Sequence, residues 1–283
     1  MNGSIKGIRE RETEIMKKIL VLLLTIAAIC CIFAVSYAED TVLADTDKVC
    51  IKVKSMETSS NKFTMKVYLE NKSDVTAMFA IEKTVVNGYV ADPFWAMEVA
   101  PGKKANDTIS INGLSDKGIT GDVSIIEFTF RVYDSNDWSA DDFLKQSFTL
   151  YPLGEDKATI VEREGQATDT VVADNKNVTI IVTGYGEDKI WGYTTYVYLV
   201  NKTDKTLMFA AEDCSVNGFM MDPFWATEIP PHARSFDGIR WNSRSFEEND
   251  IEKVEEIEMT FRAYDSDDWM ADDAFKGTTK LKP

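Results

Sequence analysis

Two acidic loops carry the residue types that bind hard cations. They read Asp134-Ser-Asn-Asp-Trp-Ser-Ala-Asp-Asp142 and Asp265-Ser-Asp-Asp-Trp-Met-Ala-Asp-Asp273. Calcium takes about six to eight oxygen ligands from carboxylates and carbonyls on flexible loops. The candidate calcium ligands are therefore Asp134, Asn136, Asp137, Asp141 and Asp142 in the first loop, and Asp265, Asp267, Asp268, Asp272 and Asp273 in the second.

The same loops also have a purely structural interpretation, which we favour. They do not match the EF-hand pattern, because Trp138 or Trp269 stands at the fifth position and the sixth is not glycine. The first Asp would then end a strand, the tryptophan would pack back on the domain, and the later Asp residues would cap a short helical turn. We expect no cofactor, with calcium as the alternative.

A second motif, Asp92-Pro-Phe-Trp-Ala96, returns as Asp222-Pro-Phe-Trp-Ala226. Exposed adjacent aromatic residues stack on sugars or anchor a protein partner. The candidate ligand contacts are Phe94, Trp95, Phe224 and Trp225. Core packing is the interpretation we favour for them, because strand-like sequence flanks the motif in both places.

The residues available for catalysis are few. His232 is the only histidine, it lies in a Pro-Pro-His turn typical of a surface loop, and the first copy has Gly102 there. The sequence shows neither a His/Cys cluster for zinc nor a glycine-rich phosphate loop. Paired carboxylates keep a hydrolase as the least favoured alternative. We predict a protein that is not an enzyme.

These motifs recur because the chain contains an internal duplication. Between Tyr68 and Pro101, 20 of 34 positions are identical to those about 130 residues later. The copies span 39–153 and 168–283, and the polar stretch 154–167 is predicted to be a linker. Arg131 and Arg262 occupy the same mid-strand position in each copy, and we expect a nearby acidic residue to pair with each.

Within each copy the apolar residues alternate with polar ones. Segments 49–53, 63–69, 103–111, 126–133 and 147–151 are predicted strands, and Asn87-Gly88 is a strong hairpin signal. About seven short strands in a hundred residues are typical of an immunoglobulin-like β-sandwich. We therefore predict an all-β protein of two tandem immunoglobulin-like sandwiches, with a small barrel as the competing topology.

Residues 1–38 have the composition of a signal segment. Met16-Lys-Lys18 precedes an apolar run from Ile19 to Val35, and Ser36-Tyr-Ala38 supplies a cleavage site. We expect the polar stretch before Met16 to be a spurious extension. A retained membrane anchor and a lipoprotein modified at Cys30 or Cys31 are the alternatives. The mature form would have no membrane span.

The predicted mature chain is strongly acidic. Removing residues 1–38 takes away five basic and three acidic side chains, which leaves 26 basic and 44 acidic ones and a net charge of −18. Such a surface repels nucleic acid and anionic lipid headgroups. Cys50 and Cys214 lie at non-equivalent places in the two copies, so we predict two free, buried thiols.

Segments 198–209, 222–226 and 261–269 resemble those of uncharacterised secreted bacterial proteins built from tandem immunoglobulin-like domains. The resemblance covers residues 39–283 and implies the fold and an extracytoplasmic location. It supplies no site residues. We accordingly predict a secreted or cell-surface module that binds an unknown protein or glycan at the cell envelope.

Overall fold

The structure is a computed structural model that describes residues 40–188 and 192–283. The predicted signal segment 1–38, with Cys30 and Cys31, lies outside the described residues, so its assignment stays a prediction. No helix in these two ranges is long and apolar enough to cross a membrane.

The first repeat forms nine strands and no α-helix within its described residues. They are β1 (Thr41–Asp45), β2 (Val49–Ser59), β3 (Lys62–Asn71), β4 (Ala77–Val86), β5 (Tyr89–Val90), β6 (Ala96–Val99), β7 (Lys104–Asn112), β8 (Ile126–Asp134) and β9 (Leu144–Leu150). The predicted alternation is clearest in β3, where every second side chain from Phe63 to Asn71 is buried.

Where the structure describes it, the second repeat forms the equivalent strands and one short helix. They are β10 (Thr170–Asp174), β11 (Val178–Asp188), β12 (Gly192–Asn201), β13 (Leu207–Val216), β14 (Phe219–Met220), β15 (Ala226–Ile229), β16 (Arg234–Trp241), helix α1 (Ser243–Glu248), β17 (Ile257–Asp265) and β18 (Phe275–Leu281). Helix α1 begins at the Asn242 cap, whose side chain accepts from the Arg244 amide.

The predicted all-β sandwich is confirmed. In the first repeat one sheet has the order β1-β2-β3-β7, and the facing strands run β5-β4-β8-β9 with β6 also paired to β4. If β2, β3 and β7 are labelled A, B and E, and β4, β8 and β9 are labelled C, F and G, the pairings follow the A-B-E and C-F-G orders of an immunoglobulin-like sandwich. In the second repeat β10-β11-β12-β16 faces β14-β13-β17-β18 in the same way. Within the described part of each repeat the two facing sheets do not pair with each other, so the alternative of a closed barrel is not formed.

Each repeat has its own apolar core between its sheets. Phe63, Phe79 and Phe130 are fully buried in the first, and Phe209 and Phe261 occupy the second.

The prediction for the cysteines of the mature chain is confirmed. Cys50 and Cys214 are both free and buried. Burial raises the pKa of the Cys214 thiol to about 12.

A buried asparagine explains one of the shared motifs. Asn71 at the end of β3 donates through Nδ2 to the carbonyls of Val75 and Val99, at 2.8 Å each, and its Oδ1 accepts from the Ser73 amide at 2.9 Å. Asn201 makes the equivalent bonds at the end of β12. The sequence Asn71-Lys-Ser-Asp74, which recurs as Asn201-Lys-Thr-Asp204, therefore stabilises the loop after the strand, since the asparagine amide satisfies buried carbonyls.

The two repeats are joined by a strand pairing, and residues 40–283 form one compact unit. Strand β5 of the first repeat runs parallel to β16 of the second, with Tyr89 opposite Arg234, so the two sheets become one nine-stranded sheet. The predicted linker lies over this junction. The Tyr89 hydroxyl donates to the Val161 carbonyl at 3.1 Å, and the Thr159 amide donates to Ser124 Oγ at 3.0 Å. The predicted domain boundaries stay a prediction.

Candidate functional site

The Asp-Pro-Phe-Trp motif forms the connection between strands β5 and β6. The Ala91 amide donates to the Thr84 carbonyl at 2.8 Å, and the Asp92 carboxylate accepts from the Thr84 amide. Strand β6 then returns alongside β4, with Ala96 opposite Ala80. Hydrogen bonds and strand pairing thus hold both ends of the motif against β4, and only Pro93, Phe94 and Trp95 lie between these contacts.

The second repeat builds the same connection between β14 and β15. The Met221 amide donates to the Cys214 carbonyl at 2.9 Å, and Asp222 accepts from the Cys214 amide at 3.3 Å. Ala226 lies opposite Ala210 on β13. The backbone of the motif is therefore supported alike in both repeats.

The phenylalanine of each motif is fully exposed. Phe94 and Phe224 expose 104% and 103% of their reference surface. Both have left-handed backbone angles, with φ of 47° and 45°. This conformation is rare for a bulky residue and costs about 1–2 kcal/mol. The expectation that these two residues pack in the core is wrong, because the left-handed residue interrupts the alternation and leaves its side chain in solvent.

The tryptophans of the motif behave differently. Trp95 is partly buried, with Nε1 donating to Asp107 Oδ2 at 3.0 Å and its ring meeting Phe130 edge to face at 6.0 Å. Trp225 donates in the same way to Asp237 Oδ2 at 3.0 Å. Each tryptophan fastens the loop to the neighbouring sheet, which leaves the phenylalanine as the free group.

Two grooves flank Phe224 in the second repeat. One, of about 790 Å³, is lined by Pro223, Phe224, Trp225, Arg240, Asn242 and Ser245. The other, of about 500 Å³, is lined by Phe224 together with Glu212 and Asp213. Ser110 of the first repeat stands at the position of Arg240. The two sites therefore share the aromatic anchor and differ in the polar groups beside it.

Three of the four carboxylates in the acidic loop of the first repeat accept hydrogen bonds within the protein. Asp134 Oδ1 accepts from the Asn136 amide at 2.9 Å, and Asp137 Oδ1 accepts from the Ser139 hydroxyl at 2.6 Å. Asp142 accepts both its bonds from Arg131 Nε, at 2.9 and 3.1 Å. These contacts order the loop as turns, without the predicted helical turn.

The second loop repeats this arrangement with an added ion pair. Asp273 accepts from Arg262 Nε at 2.9 Å, which confirms the predicted arginine pairing. Lys205 Nζ donates to Asp265 Oδ2 at 2.6 Å and holds the pKa of that carboxyl below its ordinary value. Asp268 accepts from the Met270 amide.

No three metal-ligating side chains come together in the described ranges. The calcium hypothesis stays a prediction.

The tryptophans of the acidic loops do not pack on the domain, so that expectation is wrong. Trp138 and Trp269 are 78% and 70% exposed. Each lies four residues after the end of its strand, β8 or β17. Sequence patterning missed this exposure, because both tryptophans lie within turns, where no side-chain period indicates which residues are buried.

His232 lies in an exposed turn, as predicted, with φ of 56°. Its Nε2 is 2.8 Å from Asp204 Oδ1. Both side chains are mostly in solvent, so the pair forms a surface contact.

Comparisons with known proteins give no family. No protein-family model matches the chain, and no curated protein matches it. Among solved structures, red sea bream transglutaminase is 10% identical with a TM-score of 0.24, over 84% of this chain and 31% of that one. The chain thus spans about a third of the transglutaminase. The YadV chaperone is 12% identical with a TM-score of 0.22, over 83% of this chain and 100% of its own. At these scores we infer neither fold nor function from either likeness.

Proposed function

We propose that the protein is a secreted or cell-surface binding module without catalytic activity, and that Phe94 and Phe224 are its two anchors for a partner protein. The observation that carries the proposal is that each repeat holds a fully exposed phenylalanine on a left-handed residue. Solvent exposure of a large ring and a strained backbone are both unfavourable for an isolated molecule. A binding role accounts for both features.

The surroundings of the rings favour a protein partner. An aromatic side chain that projects from a rigid base inserts readily into an apolar pocket and contributes strongly to binding. Trp95 and Trp225 supply that base, because their hydrogen bonds to Asp107 and Asp237 fix the connection. A sugar site would need hydrogen-bonding groups beside the ring in both repeats, and Arg240 has no charged counterpart in the first.

The charge of the chain narrows the chemistry of the partner. The net charge of −18 that the chain would carry without residues 1–38 favours a partner whose pocket is surrounded by basic groups, since opposite charges speed association and exclude acidic competitors. The extracytoplasmic location is supported by the apolar run of residues 19–35, which lies outside the described residues.

Affinity capture tests the proposal. The purified protein, a Phe94→Ala/Phe224→Ala variant and a Met270→Ala control are each immobilised and exposed to a cell-envelope lysate and to a glycan panel. Met270 is a comparably exposed apolar residue at 79%, outside the motif. We expect the wild type and the control to retain the same proteins and the double variant to lose them.

The two single variants test for two-point attachment. If both anchors engage one partner, each single variant should bind more than about tenfold more weakly than the wild type, because effective concentration is lost. Equal retention by the wild type and the double variant would overturn the proposal. Loss of a glycan instead of a protein would assign the anchors to sugar binding.

A further inference from the structure

The hairpin at the Asn-Gly turn has a different environment in each repeat. In the first repeat it connects β4 to β5 and docks on β16, where the Arg234 amide donates to the Gly88 carbonyl at 2.9 Å. Tyr89 is only 3% exposed there, and its ring stacks on Phe236 with centroids 6.1 Å apart. This hairpin is the joint between the repeats.

The equivalent hairpin of the second repeat is formed in the same way but is uncovered. Asn217 and Gly218 have φ of 49° and 85°, against 48° and 85° for Asn87 and Gly88. Phe219 and Met220, at the positions of Tyr89 and Val90, are 47% and 70% exposed. A side-chain atom added at Gly218 would meet nothing within 4 Å, whereas one at Gly88 would meet Ile160 and Arg234. Phe219 and Met220 are therefore exposed apolar side chains that directly follow an ordered turn.

The first repeat carries the complementary feature, an edge that resembles the docking edge. Strand β7 ends the sheet β1-β2-β3-β7, as β16 would end its own sheet without β5. Lys104 on β7 is the residue equivalent to Arg234 on β16. Lys104 lies opposite Glu70, Arg234 lies opposite Val200, and Glu70 and Val200 are equivalent positions of the two repeats. The hairpin of the second repeat thus has no edge strand docked on it, and the β7 edge of the first repeat has no hairpin docked on it.

We propose that the Phe219–Met220 hairpin docks on the β7 edge of a second copy of this chain, so that molecules associate head to tail. The contact repeats the joint that the structure already contains between β5 and β16. Because the hairpin and the edge are different surfaces, the association is heterologous, and an assembly of any length keeps one free edge at one end and one free hairpin at the other.

The charges of the two surfaces agree with this occupant. Beside the hairpin, Glu255 and Glu256 donate their amides to Asn217 Oδ1 at 2.8 and 3.1 Å, where the first repeat has Ser124 and Ile125. Glu255 is exposed, whereas Ser124 is buried against the segment before β10. At the edge, Lys103 and Lys104 are both exposed. Within the chain, Glu255 lies 3.9 Å from Lys253, Glu256 lies 3.5 Å from Lys280, and Lys104 lies 3.4 Å from Glu70. Docking would therefore exchange ion partners, and the main argument for this occupant is the β5–β16 joint that the contact repeats.

The contact would differ from the internal joint in one respect. Asn106 of the first repeat stands in place of Phe236, so Phe219 has no ring at that position to stack on. Tyr68, equivalent to Tyr198, is the aromatic side chain available to it on the neighbouring strand. The association should therefore be weaker than the joint and depend on concentration.

Sedimentation of the purified protein and two variants tests the proposal. The hairpin variant is Phe219→Ser/Met220→Ser, the edge variant is Lys103→Glu/Lys104→Glu, and Met270→Ser is the control with an equally exposed apolar residue. We expect the weight-average mass of the wild type and the control to rise with concentration. Each variant alone should associate at least about tenfold more weakly, because it lacks one of the two surfaces.

Mixing the two variants gives the distinguishing result. The hairpin variant keeps its edge and the edge variant keeps its hairpin, so an equimolar mixture has one intact contact. We expect the mixture to form one-to-one dimers that grow no further. A wild type that stays monomeric at every concentration, or a mixture that does not recover dimers, would overturn the proposal.

Discussion

The ring of Phe236 in the second repeat lies parallel to that of Tyr89 in the first, at an interplanar angle of 3° and a centroid distance of 6.1 Å. Phe236 also contacts Tyr198, at 5.0 Å. The two repeats therefore share an aromatic contact as well as a strand pairing. A contact of this kind couples the stability of one sandwich to that of the other.

Replacement of Phe236 by alanine should weaken this coupling. The side chain is partly buried, so we expect the free energy of unfolding to fall by about 2 kcal/mol. Urea unfolding followed by tryptophan fluorescence measures it. Phe219→Ala, at the exposed counterpart of Tyr89, is the control and should change little. An equal fall in the free energy of unfolding of both variants would contradict the conclusion that the Phe236 contact couples the two repeats.

Replacement of Phe224 by glycine should separate binding from stability. Glycine adopts positive φ without strain, which stabilises the folded state. This gain in stability offsets the cost of the larger conformational entropy that glycine has in the unfolded chain. We expect thermal unfolding of Phe224→Gly to occur at or above the wild-type temperature, while partner capture is lost. A clear fall in the unfolding temperature would mean that the ring contributes to packing after all.

The ion pair between Arg163 and Asp169 should make stability depend on acid pH. The guanidinium donates to both carboxylate oxygens, at 2.7 and 2.6 Å, and holds the pKa of Asp169 below its ordinary value. The folded pKa lies below the unfolded one, so the contribution is present above the ordinary pKa. It is lost as the pH falls through the folded pKa.

Asp169→Asn should therefore lower stability at pH 7, and the difference from the wild type should shrink below about pH 4. Chemical unfolding at several pH values measures this. Asp174→Asn is the matched control, because the Asp174 side chain is 63% exposed and solvent weakens its pair with Lys202. A difference between wild type and Asp169→Asn that stays constant with pH would exclude the ionised carboxylate as its source.

Calcium should leave the thermal unfolding temperature unchanged. Asp142 and Asp273 already pair with Arg131 and Arg262, and Asp265 with Lys205, so a cation would have to displace these groups. Thermal melts with calcium and with a chelator decide the question. A rise of the midpoint with calcium that the chelator reverses would establish the acidic loops as a metal site.

The strands and turns were predictable because their signals are local. The alternation of residues 63–69 and the Asn87-Gly88 turn follow from side-chain period and backbone preference, and both occur as predicted. The junction was not predictable, because the pairing of Tyr89 with Arg234 joins residues far apart in the sequence. The exposure of Phe94 was missed because a hydrophobic residue between strands favours burial, and only the backbone angle shows that it points outward.

The same hairpin is paired in the first repeat and exposed in the second, so the two ends of the duplicated chain differ. One copy of the turn is occupied by its neighbour and the other is open. A further repeat added after Pro283 would find a ready-made docking turn, provided that its edge strand carried residues like Arg234 and Phe236. A repeat added before the first one would meet the open β7 edge instead, so gene duplication at either end could extend the array with the same kind of joint.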